Sequence, residues 1–391
     1  MNKFKPLNVF VAAMLVGIVA VGCSSSDDKG DVYAEFDTTV TKINSYGNIE
    51  LSVTADELLA AGYEYGDMVR IGGGSLPEDL VIPFVDDYLC SGVWGASLEL
   101  FSGYDNLTLA LANASFSDRV GGKVGDRLHI SMSKKGGYAS EYKNFKLDPS
   151  SDRSDYASDE IYANFFAVSC YGIKEKMFYR SSTPLSSSSL RYEYSDRLAR
   201  EAGVNSIITM ADTEDYWLSK VAEGSGYGQY AKELYDAGNV SFSRTAVDIF
   251  QPGMAEKIGQ IVRFILTHKS PYLICCSWGR DRTGYMAMIL QVLAGATFEE
   301  IEADYMRSFY NYNHIDASFP YYERFRQITF LRTIYIVAHG GDVDVAQLNN
   351  LTTVDKDEIM ALLPQAVDNF LTQRAGVTAA ELSALKTLIR K

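Results

Sequence analysis

The segment Tyr272-Leu273-Ile274-Cys275-Cys276-Ser277-Trp278-Gly279-Arg280-Asp281-Arg282-Thr283-Gly284 joins a short apolar run to an apolar helical pattern over residues 284–293. A buried strand, a tight loop and a helix start in that order let the chain pass once around a phosphate-sized anion. Backbone N–H groups then point inward and the helix presents its positive N-terminus. Phosphoryl transfer spreads negative charge over three equatorial oxygens, which a ring of amides and the bidentate guanidinium of Arg282 would match. The same field lowers the pKa of Cys276 and keeps part of it as thiolate, the form that attacks. Gly279 lets the backbone approach closely, and Thr283 is placed to give its hydroxyl to Cys276. Ser277, Trp278, Gly279, Arg280 and Gly284 complete the candidate substrate contacts. With five cysteines, average composition gives Arg six residues on and Ser or Thr seven on with probability roughly 3%, and Gly three on takes this to roughly 0.3%. The pattern is therefore not an accident of composition.

Outward from this segment, strand and helix patterns alternate. Residues 192–202 look helical and stop at Gly203, an apolar run follows over 204–210, and 253–267 carries Ile258, Ile261, Val262 and Ile265 at helical spacing. Such alternation predicts an α/β domain over residues 161–391, a central, mostly parallel sheet flanked by helices. Two amphipathic stretches around Gly376 predict a terminal helical pair. Residues 147–160, with Pro149, Ser150, Ser151 and several Asp, read as a linker.

Residues 36–146 read differently. Thr39-Val40-Thr41-Lys42-Ile43, Asn48-Ile49-Glu50-Leu51-Ser52-Val53, Met68-Val69-Arg70-Ile71, Leu107-Thr108-Leu109-Ala110-Leu111 and Arg127-Leu128-His129-Ile130-Ser131-Met132-Ser133 are short runs split by Gly, Asn and Asp. They predict a small all-β barrel or sandwich without a catalytic constellation.

The 391 residues suit two domains. The net charge of −14 becomes −16 without residues 1–22, which hold Lys3, Lys5 and no acid. So acidic a chain is a poor general binder of nucleic acid or anionic membrane, and a phosphate ligand must be drawn by a local pocket. Lys3 and Lys5 precede a short apolar run that ends in Ala20-Val21-Gly22-Cys23, which reads as a signal peptide over 1–22. Small residues leading into a cysteine resemble a bacterial lipobox. That resemblance implies lipidation of Cys23, a tether over 23–35, export, and anchoring to the outer membrane through lipid alone. No CxxC pair and no cysteine–histidine cluster occurs among Cys23, Cys90, Cys170, Cys275, Cys276 and the four histidines, so neither a metal nor another cofactor is expected.

The loop from Cys276 to Gly284 resembles the signature loop of the protein tyrosine phosphatase superfamily. It is most similar to bacterial tyrosine and phosphoinositide phosphatases reading Cys-x-x-Gly-Lys-Asp-Arg-Thr-Gly. Tyr179-Arg180-Ser181-Ser182, Leu293-Ala294-Gly295-Ala296, Asp304-Tyr305-Met306-Arg307-Ser308 and Ala375-Gly376-Val377-Thr378 resemble further elements of that family. The resemblance implies metal-free hydrolysis of a phosphorylated protein, phosphotyrosine first, or of a small phosphate monoester, through a phosphocysteine. Cys275 stands where the family has His, Arg280 where it has Lys, and Asn164-Phe165-Phe166-Ala167 keeps only part of its Asn-Phe-Arg-Asp element. A vicinal link between Cys275 and Cys276 would switch such an enzyme off.

The leaving alkoxide needs a proton. Asp248, 28 residues before Cys276, and Asp281, inside the loop, are the candidate acids, with Asp212 and Glu214 as loop or supporting residues. Arg180 and Arg307 either contact substrate or serve as structural ion pairs, and Trp278 either lines the mouth or packs. Two other readings stand beside hydrolysis. One is a phosphatase fold that holds phosphorylated ligands without turnover; the other is a surface lipoprotein whose β domain binds the partner.

Overall fold

The computed structural model describes residues 33–44, 47–86, 95–100, 105–111, 115–146, 149–185, 190–246, 249–250, 253–341, 343 and 351–391. Cys23, Cys90, Asp248 and the segment read as a signal peptide lie outside the described residues.

The first half forms a closed seven-stranded barrel. Its strands are β1 (Phe36–Ile43), β2 (Ile49–Thr54), β3 (Met68–Gly73), β4 (Leu80–Val85), β5 (Ala96–Glu99), β6 (Asn106–Leu111) and β7 (Arg127–Lys134). They close in the order β1-β2-β6-β5-β4-β3-β7, and closure leaves no edge strand to pair with another chain. Alternation puts Val40, Leu51, Val53, Ile71, Leu109, Leu128 and Ile130 inside, where they pack with Phe84, Leu98 and Leu107. All pairs are antiparallel except β4 with β5. Past β7, Tyr138 and Phe145 leave the barrel and join the larger core, Phe145 meeting Phe325 edge-on at 5.3 Å. The expected linker over 147–160 holds a short 3-10 turn, Arg153–Asp155, and the start of the helix Asp159–Ala163, with Tyr156 buried between them.

The second half is rich in helices and holds a five-stranded sheet of β8 (Phe166–Ala167), β9 (Phe178–Ser182), β10 (Ser206–Thr209), β11 (Val240–Phe242) and β12 (Tyr272–Cys276). The order is β11-β10-β12-β9-β8. β10 runs parallel to β11 and β12, β12 parallel to β9, and the short β8 antiparallel at the edge. All five residues of β12 are buried, as a strand covered on both faces requires. Phe178, Ile208, Tyr272, Ile274 and Cys276 face one core, with the helices Met254–Thr267 and Asp281–Leu293. Tyr179, Ile207, Leu273 and Cys275 face the other, with Leu198, Trp217 and Leu234. The loop that opens the sequence argument leaves β12 at its C-terminal end and enters the helix Asp281–Leu293, with β10 and β9 on either side.

Candidate active site

Cys276 is the last residue of β12 and is 3% exposed. Burial pushes its thiol up. The charge of Arg282 and the hydroxyl and backbone N–H of Thr283 more than offset that, against a smaller upward push from Asp281, so the thiol sits below its ordinary range. The Thr283 hydroxyl is buried and meets no acceptor at full hydrogen-bond geometry, yet it lies close enough to the sulfur to favour its charged form.

Arg282 is half-buried. Its Nη1 donates to the Met210 carbonyl at 2.9 Å and its Nη2 to Ser277 Oγ at 3.0 Å, and Ser277 is exposed at the rim. The loop closes on itself once, Gly279 N–H to the Cys276 carbonyl at 3.2 Å, before Gly284 N–H meets the Arg280 carbonyl at 2.8 Å. The first-turn amides of the Asp281–Leu293 helix, Arg282 and Thr283 among them, are those a helix leaves without internal partners. An anion inside the loop finds those amides, the helix dipole and Arg282 converging on it.

Gly279 stands at φ +71°, and a Cβ there would lie 2.3 Å from both the carbonyl carbon and oxygen of Ser181. Both conformation and close approach demand glycine. Gly284 faces the Tyr305 ring, which a Cβ would meet at 2.6 Å. Trp278 is half-buried and stacked on Tyr312, with centroids 5.2 Å apart. Its carbonyl accepts from Asn164 Nδ2 at 2.9 Å, and Asn164 Oδ1 in turn accepts from Asn311 at 3.2 Å.

Two arginines of the sequence argument lie buried around the loop. Arg280, expected among the substrate contacts, is fully buried. Its guanidinium lies 4.7 Å from the Trp278 ring and 4.6 Å from Phe309, and donates to Asn313 Oδ1 at 2.7 Å. Asp281 is half-buried, with Oδ2 3.4 Å from Arg280 Nε. Arg180 is also fully buried. It donates to the Gly279 carbonyl at 3.2 Å, the Arg280 carbonyl at 3.0 Å, Ser308 Oγ at 2.7 Å and Asp304 Oδ1 at 2.5 Å. It braces the loop from beneath, while Arg307 lies exposed over Phe166. Of the candidate supporting acids, Asp212 is buried near Arg282, and Glu214 accepts from Tyr235 in the first turn of its helix.

Sequence reasoning passed over Asn164, Asp304 and Ser308 as supports of the loop. Asp304 and Ser308 lay in an element singled out by resemblance, and Asn164 in one that had seemed only a remnant. Cys275 faces away from Cys276 across the sheet, its sulfur 3.7 Å from the Ile208 carbonyl, and burial pushes its thiol well up. Both cysteines are free thiols, and the pleat holds their sulfurs on opposite faces, which opposes the vicinal link.

No curated protein matches the chain. Among solved structures it is similar to an uncharacterized conserved protein from Thermotoga maritima, at 17% identity over 25% of this chain and 35% of that one, with a TM-score of 0.23. The chain therefore covers about a third of that structure's length, and so slight a likeness carries no argument. A match to the tyrosine phosphatase family spans residues 171–391, over half the chain, and takes in the Cys276 loop together with the arginine that braces it and the helices behind it. The chain belongs to the tyrosine phosphatase family.

Proposed function

We propose that the chain hydrolyses phosphate monoesters, protein phosphotyrosine first among them, through a phosphocysteine at Cys276, on an α/β domain over 161–391 whose sheet is central. The observation that carries the reading is the buried Cys276 thiol, at the start of the loop that leads from β12 into the next helix, held below its ordinary range by Arg282 and Thr283. The thiolate attacks phosphorus as the bond to the leaving oxygen breaks. Arg282 and the first-turn amides take the charge on the equatorial oxygens. The leaving oxygen takes its proton from Asp248 or Asp281. Water then cleaves the S–P bond, releasing phosphate and returning the thiolate, whose departure the Thr283 hydroxyl eases. The lipobox ending at Cys23 supports an exported protein anchored by lipid to a bacterial outer membrane, with the barrel over 36–146 as an accessory domain.

The test is turnover of a small aryl phosphate by residues 30–391 with reductant and chelator, beside Cys276→Ser. Activity lost in the variant is the expected result. Activity that survives in Cys276→Ser, or that chelator abolishes, would sink the thiolate mechanism.

A further inference from the structure

On the Cys275 face of the sheet, at the end from which the loop departs, a group of buried polar side chains meets. Asp212 Oδ2 accepts from Thr183 Oγ1 at 2.9 Å and from Thr209 Oγ1 at 2.7 Å. Thr183 follows β9 and Thr209 ends β10, and β12 runs between those two strands. One carboxylate oxygen thus clasps both strands that flank the nucleophile strand. Between them, Cys275 pairs in register with Thr209. Burial and the Asp212 charge push the Cys275 thiol up, while the hydroxyls of Thr209 and Thr183 pull the other way.

The clasp leads to Arg282 through one residue. Met210 follows Thr209 directly and lies two residues before Asp212. Its N–H donates to the Cys275 carbonyl at 2.8 Å, and its own carbonyl accepts from Thr245 N–H at 3.2 Å and from Arg282 Nη1 at 2.9 Å. Whatever fixes the turn from Thr209 to Asp212 therefore fixes the perch on which Arg282 rests. The charged and titratable groups facing Asp212 are Arg282 from the loop, Arg244 from beyond β11 and Cys275 from β12. Burial pushes the Asp212 carboxyl up, against the two hydroxyls and the two guanidiniums. An acid kept in so dry a place, where an asparagine would bind both hydroxyls as well, points to a use for its charge.

We propose that Asp212 is a positioning residue for capture of the phosphoryl group, aiming Arg282 by clasping β9 to β10 across the nucleophile strand and by facing the guanidinium with a carboxylate. The proposal rests on the phosphatase reading. It separates Asp212 from a mere sheet brace, because a positioning residue acts only while Arg282 is there to be aimed.

A double-mutant cycle on the full chain tests it. Inorganic phosphate shields Cys276 from iodoacetamide, and the alkylated peptide, read by mass spectrometry, gives a phosphate affinity that needs no turnover. Repulsion between the carboxylate and phosphate is common to both backgrounds and cancels. The expected result is that D212A weakens phosphate about 10-fold more in the wild type than in R282A. D212N keeps both hydroxyl bonds and loses only the charge, so its expected coupling to Arg282 is about 3-fold, and it decides the matter if the alanine variant does not fold. Equal effects in both backgrounds overturn the proposal alone. Failure of phosphate to protect wild-type Cys276 overturns the phosphatase reading and this proposal with it.

Discussion

Replacing Gly279 by alanine adds one methyl group at the tightest point of the loop. The backbone there stands at φ +71°, where an L side chain costs about 1–2 kcal/mol. The new Cβ would also lie 2.3 Å from the Ser181 carbonyl carbon and oxygen and 2.8 Å from Ser182 N. All three are backbone atoms, so no rotamer change relieves the contact. They belong to β9, which is paired with β12 and anchored through Arg180 to Asp304 and Ser308, so the added methyl strains the loop against a fixed strand. Relief of contacts that short needs a shift on the order of 1 Å, and a misplacement of that size costs about 10²-fold in rate. We expect kcat/KM for a small aryl phosphate to fall about 100-fold in Gly279→Ala, most of it in kcat. Gly224→Ala is the control. Gly224 has φ +76° but nothing within 4 Å of a Cβ, so the same backbone strain should cost about 1 kcal/mol of stability and no activity. A Gly279→Ala enzyme within about 3-fold of wild type would refute the reasoning, because the claimed close approach would then be slack.

Three further outcomes are expected. Arg180→Met leaves the Asp304 carboxyl buried without its partner, and urea denaturation should show a loss of about 3–5 kcal/mol; a loss below about 1 kcal/mol would mean the pair does not hold the loop. Alkylation of Cys276 should rise with pH through a midpoint below the ordinary thiol range. Thr283→Val and Arg282→Gln should each move that midpoint upward, since burial then meets less opposition, and a midpoint indifferent to both would remove the basis for the thiolate. Cys275→Ala should be inactivated by peroxide at the wild-type rate. A Cys275-dependent loss that dithiothreitol reverses would show that the strand opens far enough to join two sulfurs on opposite faces.

The elements with clear periodicity were legible. Apolar spacing located the helices Arg191–Glu201 and Met254–Thr267 to within a residue, and foresaw the terminal pair Lys356–Asn369 and Ala379–Ile389 on either side of Gly376 without its inner bounds. Strands β1, β2, β3, β6 and β7 alternate, or nearly so, and were read as β. The two strands that close the barrel were not. β4 carries Pro83 inside a continuous apolar run, and β5 is only four residues long, so neither shows a period-2 signature. That also explains why barrel and sandwich could not be separated: the choice turns on the β4–β5 pairing, which is parallel and leaves no hairpin signal.

The site divides along the same line between local and distant. Cys276, Arg282, Thr283 and Gly279 sit within a single loop, so their spacing alone was enough to propose a chemistry. The supports of that loop come from far along the chain: Asn164 is 114 residues from Trp278, and Arg180 is 99 from Gly279. No spacing rule links such pairs, and only the sheet order brings them together. Next to the signature residues Arg280 reads as a substrate contact; spacing did not show that the loop turns its side chain inward against Trp278 and Phe309. Cys275 follows the same logic, since the pleat that aims Cys276 into the loop must turn its neighbour toward Asp212. The residue before Cys276 thus touches the ends of the strands on either side, and the consequence of having cysteine there is to be sought first in Thr183, Thr209 and Asp212.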